Sequence, residues 1–550
     1  MIGTELRARI LAWGAEDPDP DTAADLRGLL ARADGGDAAA AAELADAFAG
    51  PLAFGTAGLR GPLGPGPARM NRVVVAQAAA GLARHLLDLG LSGGRVIVGF
   101  DARHNSEVFA VDTAQILAGA GLRPLLCRRP LPTPVVAFGI RHFGCVAAVV
   151  VTASHNPPGD NGYKVYLGDG SQIVPPSDAQ IAARIAEAAA GPQAAIARSE
   201  DVQPVGDELV DAYVARAASL VPQDAPREVT WVYTALHGVG AATVSAVATA
   251  TGFPQPRVVQ EQNEPDPDFP TVPFPNPEEP GALDLALHLA AALTADVVIA
   301  NDPDADRCAV AAPIDGAWRM LTGDELGALL ADDLLGRGVV GTYACSVVSS
   351  TLLGAMAAAR GVPFVTTLTG FKWIGRVPGL AFGYEEAIGY CTDPGVVADK
   401  DGITTLARVL TLVAGLKAAG SCLADRLDEL ARTYGVHHTG QLAFRVVDTA
   451  VIREAMARLR AAPPARLAGE PVVTRDLGLG SADLSPTDGL LLAGEVVRVV
   501  VRPSGTEPKL KCYLQVRLDP TQCVDLAAAR ARARDLMAEL RTEVASALGL

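Results

Sequence analysis

The sequence predicts an α/β protein of several domains that ends in a smaller α+β unit. Strand-like apolar runs alternate with stretches of helical spacing, a pattern typical of largely parallel, helix-covered sheets. The chain has 550 residues, which suggests roughly three to four domains. Around Gln441 the pattern changes, and we expect residues 441–550 to form a compact C-terminal unit.

The order of these elements follows from hydrophobic periodicity and turn residues. Residues 1–50 are Ala-rich and helical, with Asp-Pro-Asp-Pro at 17–20 as a break, and we interpret them as a packing extension. Strands are predicted at 95–101, 124–129, 145–151, 229–233, 296–300, 343–348, 364–368 and 496–501. Helices are predicted at 108–121, 321–335 and 403–416.

Composition excludes two classes of partner. The chain is 49% hydrophobic and 20% charged, and its formal net charge is −16. Nucleic acid and anionic membrane surfaces both require basic patches, so neither is expected as a partner. A phosphorylated small molecule remains compatible, because a few Arg and Lys side chains can bind it locally.

The cysteines and the apolar stretches indicate a cytoplasmic protein. The eight cysteines form no C-x-x-C pair, and most lie in apolar runs, as reduced core thiols do. The N-terminus lacks the apolar region of a signal peptide. The longest apolar stretch, 285–300, contains His288 and Asp296 and is too short to cross a bilayer.

A hydroxyl follows the most apolar predicted strand. Residues 145–151 are small or β-branched, as in a strand buried on both faces. Pro157, Pro158 and Gly159 then require a loop. Ser154 therefore lies at the carboxyl end of a buried strand, where open α/β sheets bind ligands. An ordinary Ser/Asn/Pro turn is the alternative.

Three carboxylates alternate in the loop after the strand at 296–300. Asp302, Asp304 and Asp306 can converge on one hard cation. An EF-hand is excluded, because the Gly at the sixth position and the Glu at the twelfth are missing. An aspartyl-nucleophile phosphatase, which also places D-x-D at a strand end, stays open beside a chance acidic loop.

Further candidate groups lie in three other loops. Arg60 is the single charge of a Gly-rich loop at 54–61, and a Glu pair, Glu385 and Glu386, follows a predicted strand. The loop at 502–509 combines a guanidinium, two hydroxyls and backbone N–H groups around a Gly, which suits a phosphate. Each loop also has a structural interpretation, as a solvated turn or a hairpin.

Taken together, the loops resemble those of the phosphohexomutases, the phosphoglucomutase and phosphomannomutase superfamily. The matching segments are FGTAGLRG at 54–61, TASHNP at 152–157, DPDADR at 302–307, GYEEAIG at 383–389 and RPSGTEP at 502–508. The stretch at 399–402 also matches, although it could simply cap the following helix. The resemblance extends from Phe54 to Lys511.

The resemblance implies a role for each residue. Ser154 would carry a phosphoryl group beside Arg60, with His155 and Lys164 in the catalytic set and Lys164 assisting proton transfer with the sugar hydroxyl. Asp302, Asp304, Asp306 and a phosphoserine oxygen would bind Mg²⁺. The implied substrate-binding residues are Arg307, Thr369, Gly370, Lys372, Glu385 and Glu386. The implied phosphate-binding residues are Arg502, Ser504, Gly505, Thr506 and Lys511.

The implied activity is a mutase that interconverts hexose 1-phosphate and hexose 6-phosphate through a phosphoserine and a sugar bisphosphate. Glucose is the expected sugar, with mannose and then pentose phosphates as alternatives. A sugar 1,6-bisphosphate is the expected activator. Well-known phosphoglucomutases have Ser where this chain has Ala387, so one hydroxyl contact is lost or replaced, and EEAIG is closer to the phosphoglucomutase-2 and phosphopentomutase branch.

Two other classes of function fit the sequence less well than the mutase. If the protein were an aspartyl-nucleophile phosphatase, the segments TASHNP and RPSGTEP would have no role in its chemistry. A non-catalytic sugar-phosphate-binding protein would be expected to have lost Ser154 or one of the three aspartates, and all four are present.

The resemblance also implies a four-domain architecture around a central cleft. Three similar α/β domains would be followed by the smaller α+β domain. The expected boundaries are 1–50 for the helical extension, 51–220 for the phosphoserine domain, 221–313 for the metal-loop domain, 314–440 for the sugar-recognition domain and 441–550 for the phosphate-binding domain.

Overall fold

The computed structural model describes residues 2–55, 58–446, 448–481, 484–504 and 509–550. The chain forms two units. Unit 1 comprises residues 1–311 and 391–414, and unit 2 comprises residues 312–390 and 415–550. The segment 391–414 thus belongs with the N-terminal part of the chain, although its neighbours in sequence belong to unit 2.

Unit 1 begins with three short helices, as expected for an Ala-rich segment with a Pro-containing break. They are α1 (Thr4–Glu16), α2 (Pro20–Asp34) and α3 (Ala38–Ala47). Asp19 and Asp37 cap α2 and α3 by accepting hydrogen bonds from backbone N–H groups of the first turn. The apolar faces of the three helices pack together in a separate small core that includes Leu26, Leu44 and Phe48.

The first sheet positions Ser154. Its strands are β1 (Leu59–Pro62), β2 (Arg95–Phe100), β3 (Arg123–Cys127), β4 (Ala147–Val151), β5 (Asp160–Leu167) and β6 (Gln203–Val205), in the order β1-β5-β4-β2-β3-β6. Its helices are α4 (Arg72–Asp88), α5 (Ser106–Gly119), α6 (Thr133–Phe143), α7 (Ser177–Ala189) and α8 (Glu208–Ser219). Every residue of β4 is buried, as the β-branched run predicted.

The first sheet differs from the predicted parallel pattern at one edge. Strands β2, β3, β4 and β6 are parallel, whereas β5 pairs antiparallel with β4, and β1 pairs antiparallel with β5. The loop at 152–159 between β4 and β5 is too short for the crossover that a parallel pair requires. The chain must therefore reverse direction, and the reversal brings Lys164 on β5 beside the strand that leads to Ser154.

The second sheet positions the acidic loop. Its strands are β7 (Trp231–Thr234), β8 (Arg257–Val258), β9 (Val297–Ala300), β10 (Ala309–Ile314) and β11 (Ala317–Met320), in the order β11-β10-β9-β7-β8. Its helices are α9 (Ala241–Thr251) and α10 (Asp284–Leu293). The strands β7, β8 and β9 are parallel, and β9 is buried along its whole length. The acidic loop follows β9 directly.

The third sheet lies in unit 2. Its strands are β12 (Thr342–Ser346), β13 (Phe364–Thr367), β14 (Leu380–Glu385) and β15 (Gly389–Cys391), in the order β13-β12-β14-β15. The helices of this part of unit 2 are α11 (Gly323–Gly336), α12 (Leu352–Arg360), α13 (Phe371–Ile374) and α15 (Leu423–Tyr434), whereas most of α14 (Gly402–Ala418) belongs to unit 1. Strand β12 is parallel to both β13 and β14, as expected for an α/β sheet.

The C-terminal part of unit 2 is the expected α+β structure. Its strands are β16 (Val436–Arg445), β17 (Arg466–Leu467), β18 (Glu470–Pro471), β19 (Val473–Asp476), β20 (Leu490–Ala493), β21 (Val497–Pro503) and β22 (Lys509–Leu518). The main antiparallel sheet has the order β16-β22-β21-β20-β19, and α16 (Thr449–Ala461) and α17 (Leu526–Leu548) pack on it.

Among the described residues, none of the individual helices combines the length and apolar composition needed to cross a membrane. Helices α14 and α15 meet that criterion only when taken together, across a bend of 90°.

Candidate active site

Ser154 lies at the end of β4 in a strained turn. Its φ is +53°, in the left-handed region that non-glycine residues seldom adopt. The backbone N–H of Ser154 donates to Thr152 Oγ1 at 2.8 Å. Its side chain is 3% exposed, and Oγ donates to Asp302 Oδ2 at 2.7 Å. The turn therefore directs the hydroxyl at the acidic loop, 148 residues away in the sequence.

The three aspartates of the acidic loop converge as the alternating pattern predicted. Their carboxylate oxygens lie within 4.8 Å of one another, and all three side chains are buried. Ala305 between them has a left-handed φ of +55°, which turns the backbone inside the loop. Asp302 Oδ1 also accepts a hydrogen bond from the backbone N–H of Arg307 at 3.0 Å.

Two lysines neutralise part of this negative charge. Lys164 Nζ donates to Asp304 Oδ2 at 2.6 Å and to Asp306 Oδ2 at 2.8 Å. Lys400 Nζ lies 3.2 Å from Asp306 Oδ2 and 3.6 Å from Asp399 Oδ1. Sequence reasoning placed Lys164 in the site but left Lys400 out, although the family-like stretch at 399–402 was the signal for it.

The donor set fits a divalent cation. Asp304 Oδ1 and Asp306 Oδ1 are buried, and neither has a hydrogen-bond partner within the described ranges of the chain. Buried carboxylate oxygens are normally satisfied by a donor or an ion. Oxygen ligands from several carboxylates suit hard cations such as Mg²⁺. The trio can therefore hold a metal ion.

The charges in the site shift its pKa values in opposite directions. Burial, followed by the charges of Asp304 and Asp306, raises the pKa of Asp302 to about 8 in the metal-free protein. Burial would also raise the pKa values of Asp304 and Asp306, but Lys164 outweighs it and holds both below their usual range. In the metal-free protein these charges therefore favour the protonated form of Asp302 over that of Asp304 or Asp306.

Arg60 and His155 flank the Ser154 turn. Arg60 Nη1 donates to Asn156 Oδ1 at 3.2 Å, and His155 Nδ1 lies 3.1 Å from Ser154 Oγ. Burial, followed by the charges of Arg307 and Arg60, lowers the pKa of His155 well below its usual value. His155 is therefore neutral near pH 7, and its environment disfavours protonation of the ring. Thr56 and Ala57 of the Gly-rich loop lie outside the described residues.

Arg307 lies at the edge of the same cluster. Its Nε is 4.0 Å from Asp302 Oδ2 and 3.9 Å from Asp306 Oδ1, and its Nη1 is 4.0 Å from Glu278 Oε2. The guanidinium is partly exposed. The structure thus brings together in unit 1 the predicted residues Arg60, Ser154, His155, Lys164, Asp302, Asp304, Asp306 and Arg307.

In unit 2 the predicted sugar-recognition residues share one sheet edge. Glu385 ends β14, and its Oε1 accepts a hydrogen bond from the backbone N–H of Gly370 at 2.8 Å. Gly370 has a φ of +112°, a conformation that favours glycine. Lys372 follows on α13, with its Nζ 5.8 Å from the centre of the Trp373 ring. Thr369 directly precedes Gly370 in this loop.

Glu386 is the buried member of the Glu pair. Its Oε2 accepts from Ser346 Oγ at 3.1 Å and from Ser349 Oγ at 3.2 Å. Burial, followed by the charges of Glu385 and Asp324, raises the pKa of Glu386 from 4.5 to about 7. The positive charge of Lys511, which also lies in unit 2, lowers the pKa of Glu386 and partly offsets this shift.

The raised pKa of Glu386 predicts a pH dependence of stability. The folded chain holds this proton more tightly than the unfolded chain, so protonation stabilises the fold below pH 4.5, and that stabilisation is lost as the pH rises from 4.5 to about 7. The loss is about 3 kcal/mol, at about 1.4 kcal/mol per pKa unit. Glu386→Gln should remove it, so the unfolding temperature of the variant should rise relative to wild type between pH 5 and pH 8 in calorimetry.

The exposed Glu454 on α16 offers a matched control for this measurement. Glu454→Gln should leave the difference from wild type nearly constant over the same pH range. A constant difference for Glu386→Gln as well would show that the buried carboxylate does not titrate as described.

The predicted phosphate loop is described in part. Arg502 on β21 pairs with Lys511 on β22, and the backbone N–H of Ser504 donates to the carbonyl of Lys509 at 2.7 Å. Gly505 and Thr506 lie outside the described residues. The structure therefore brings Arg502, Ser504 and Lys511 to one end of a hairpin.

Four family models match the chain along most of its length. They are the α/β/α domains I, II and III and the C-terminal domain of the phosphoglucomutase/phosphomannomutase model, at residues 51–191, 211–314, 322–434 and 473–533. The chain belongs to the phosphoglucomutase/phosphomannomutase family. This result confirms the family inferred from the motifs, and it confirms three α/β domains followed by a smaller C-terminal domain in the mutase.

Individual relatives support the same assignment of the mutase. A "Probable phosphomannomutase" of Haemophilus influenzae is 48% identical over 454 residues, which cover 82% of this chain and 93% of the relative. A "Probable phosphoribomutase" of Schizosaccharomyces pombe is 37% identical over 516 residues, which cover 85% of this chain and 87% of the relative.

A solved structure gives the corresponding result for the fold of the mutase. The "putative phosphomannomutase" of Thermus thermophilus aligns with a TM-score of 0.69 and 26% identity, covering 90% of this chain and 99% of that chain. Together with the family models, these likenesses confirm the predicted enzyme class, an isomerase of the phosphoglucomutase/phosphomannomutase type.

Proposed function

We propose that the protein interconverts a sugar 1-phosphate and the corresponding terminal sugar phosphate through a phosphoserine at Ser154. The observation that carries this proposal is the 2.7 Å hydrogen bond from Ser154 Oγ to Asp302 inside a buried trio of carboxylates. A nucleophile beside a cation-binding cluster is the arrangement that phosphoryl transfer requires. Neither a solvated serine turn nor a chance acidic loop accounts for their convergence.

The proposed metal is Mg²⁺, held by Asp302, Asp304, Asp306 and an oxygen of the phosphoserine. When bound, it would neutralise negative charge on the transferring phosphoryl group. Lys164 holds two of the three carboxylates at 2.6 and 2.8 Å, which limits their mutual repulsion. The predicted part of Lys164 in proton transfer stays a prediction.

In the proposed step, the P–O bond to Ser154 Oγ breaks as a P–O bond to a sugar hydroxyl oxygen forms. The proton of that hydroxyl ends on Ser154 Oγ, the oxygen released from phosphorus, and Lys164 is proposed to assist this transfer, with His155 beside Ser154 Oγ at 3.1 Å. Arg60 would stabilise charge on the transferring phosphoryl oxygens. The sugar bisphosphate formed in this way then returns its other phosphoryl group to Ser154, which completes the isomerisation.

The proposed substrate-binding residues lie mainly in unit 2. Glu385 would orient the sugar ring by accepting hydrogen bonds from its hydroxyls, with Glu386 and the loop of Thr369, Gly370 and Lys372 around it. The residues proposed for the non-reacting phosphate are Arg502, Ser504, Gly505, Thr506 and Lys511. Arg307, in unit 1, is proposed as a further substrate contact. The five expected domain boundaries and the cytoplasmic location also stay predictions.

Glucose remains the predicted sugar, and the names of the relatives make mannose and ribose its competitors. The Haemophilus influenzae relative is named for mannose, and the Schizosaccharomyces pombe relative for ribose. Ala387 has no side-chain hydroxyl, so this position makes no side-chain hydrogen bond to distinguish one sugar from another. A shared site that tolerates two orientations of a bisphosphate is compatible with several sugars.

A coupled assay of glucose 1-phosphate, mannose 1-phosphate and ribose 1-phosphate tests this function. Each substrate is measured with and without its bisphosphate and with and without excess chelator. We expect conversion without net release of inorganic phosphate, activation by bisphosphate, loss of activity with chelator, and the highest kcat/KM for glucose 1-phosphate. Stoichiometric phosphate release would indicate a phosphatase, and a higher kcat/KM for ribose or mannose would reassign the sugar.

A further inference from the structure

Arg103 has an unusual position behind the Ser154 turn. It lies between β2 and α5, and its side chain is 1% exposed. Its guanidinium donates to four backbone carbonyls between Ser154 and the start of β5: Ser154 O at 2.6 Å, Asn156 O at 2.5 Å, Pro157 O at 2.8 Å and Asp160 O at 3.1 Å. Three of these carbonyls belong to the loop at 152–159 that carries Ser154, and the fourth belongs to Asp160, the first residue of β5.

The rest of the Arg103 environment holds the guanidinium in place. Asp101 Oδ2 lies 3.4 Å from Arg103 Nε, and Asp101 Oδ1 accepts from Ser106 Oγ at 2.6 Å. The guanidinium also lies over the ring of Phe269, with its central carbon 4.9 Å from the ring centre. Phe269 comes from the loop between β8 and α10, so three separate segments of unit 1 meet at this side chain.

An arginine is the side chain that this arrangement requires. The planar guanidinium has five N–H donors in a fixed fork. Here Nη2 donates to Ser154 O and Asn156 O, and Nη1 donates to Pro157 O and Asp160 O. A lysine has one rotatable ammonium and cannot span the same four acceptors. The charge is preserved in such a replacement, but the geometry is not.

The turn at Ser154 needs external support. Its φ of +53° is unfavourable for a residue with a side chain, and such conformations persist only where surrounding contacts hold them. The Ser154 carbonyl accepts the 2.6 Å hydrogen bond from Arg103. The same residue is therefore held by Arg103 through its backbone and by Asp302 through its side chain.

We propose that Arg103 is a positioning residue for phosphoryl transfer, which keeps Ser154 in its left-handed turn and its oxygen directed at Asp302. This inference rests on the proposed function of Ser154 as the phosphate carrier. Arg103 acts through the loop backbone and contacts none of the proposed sugar-binding or phosphate-binding residues among its hydrogen-bond partners in the described chain. Its loss should therefore slow the transfer step and leave substrate binding unchanged.

The test is Arg103→Lys in the full-length enzyme, measured by steady-state kinetics. We expect kcat to fall about 10- to 100-fold, as displacements of about 1 Å in a reacting group can cause. The KM for the sugar 1-phosphate should stay within about twofold, because ground-state binding is not altered. The rate at which a sugar 1,6-bisphosphate phosphorylates Ser154, followed by intact mass, should fall by the same factor as kcat.

Arg72→Lys is the matched control. Arg72 forms two hydrogen bonds of 2.7 and 2.9 Å with Asp112 in the same sheet domain, so its replacement also removes a partly buried guanidinium fork. We expect the control to lower the unfolding temperature without changing kcat. An unchanged kcat in Arg103→Lys, or a rise in KM with unchanged kcat, would overturn the inference.

A second variant keeps the inference testable if Arg103→Lys does not fold. Phe269→Leu leaves every hydrogen bond of Arg103 in place and removes only the ring beneath the guanidinium. We expect kcat to fall about 2- to 10-fold with unchanged KM, as the loss of a buried cation–π contact implies. Unaltered kcat would contradict the positioning role.

Parallel measurement of Ser154→Ala separates the two proposals. If Ser154→Ala retains activity, the phosphoserine itself is wrong. If Ser154→Ala is inactive while Arg103→Lys and Phe269→Leu both behave like the Arg72→Lys control, the phosphoserine stands and only the role of Arg103 fails.

Discussion

Ser154→Ala is expected to lower the rate of sugar 1-phosphate conversion by about 1,000-fold or more, equivalent to about 4 kcal/mol of transition-state stabilisation. The variant has no oxygen that can carry the phosphoryl group, and covalent transfer through the enzyme becomes impossible. The alanine accommodates the same backbone turn about as well as serine does. The unfolding temperature should therefore change little, and intact mass should show no phosphorylation after incubation with bisphosphate.

A buried serine outside the acidic cluster provides the control for this experiment. Ser171 is 1% exposed, and its hydroxyl donates to the carbonyl of Ala398 at 3.4 Å. Ser171→Ala should keep nearly full activity and remain phosphorylated on Ser154. Near-full activity in Ser154→Ala would require another phosphate carrier and would overturn the proposed function.

The sequence was most informative where a motif follows a buried strand. The runs before Ser154 and before the acidic loop became β4 and β9, and both are buried along their whole length. Because parallel strands present their carboxyl ends to the same side of a sheet, loops that follow such strands are natural binding sites. The two motifs could be located in this way, but their pairing across different sheets came only from the resemblance to a family.

Backbone strain at the site could not be predicted. Ser154 and Ala305 both have left-handed φ values, and neither is a glycine or an asparagine, the residues that usually mark such turns. The strain is imposed by tertiary contacts that hold each loop. Local sequence preferences therefore favoured an ordinary turn at both positions.

Residues that position the site through contacts with distant parts of the chain could not be predicted from the sequence either. Arg103 and Thr133 act on loops that are distant in the chain: Arg103 through backbone carbonyls, and Thr133 by donating to Asp304 Oδ2 at 2.5 Å. Lys400 belongs to the segment 391–414, which returns to unit 1 after the chain has entered unit 2. An arginine, a threonine or a lysine in a loop carries no local pattern that indicates such a contact.

Asp304→Asn should raise the Mg²⁺ concentration needed for half-maximal activity by more than about 100-fold, beyond the usual effect of outer-shell substitutions. The two oxygens of Asp304 differ. Oδ2 accepts from Lys164 Nζ at 2.6 Å and from Thr133 Oγ1 at 2.5 Å, whereas Oδ1 has no hydrogen-bond partner in the part of the chain that the structure describes. In the variant, the amide oxygen is the only acceptor, so it must take the position between the two donors. The amide NH₂ then occupies the position of Oδ1, where it cannot ligate a cation.

Metal titration and direct binding together test this argument. Activity is measured against MgCl₂ concentration, and binding of Mn²⁺ as a spectroscopic probe is followed by electron paramagnetic resonance. Asp112→Asn is the matched control, since Asp112 is also buried and forms its ion pairs with Arg72 and Arg198. The control should lose stability and keep the wild-type metal dependence. Wild-type Mn²⁺ binding and Mg²⁺ dependence in Asp304→Asn would show that the free oxygen of Asp304 is not a metal ligand, because the forced orientation of the amide leaves no other way to preserve that ligand.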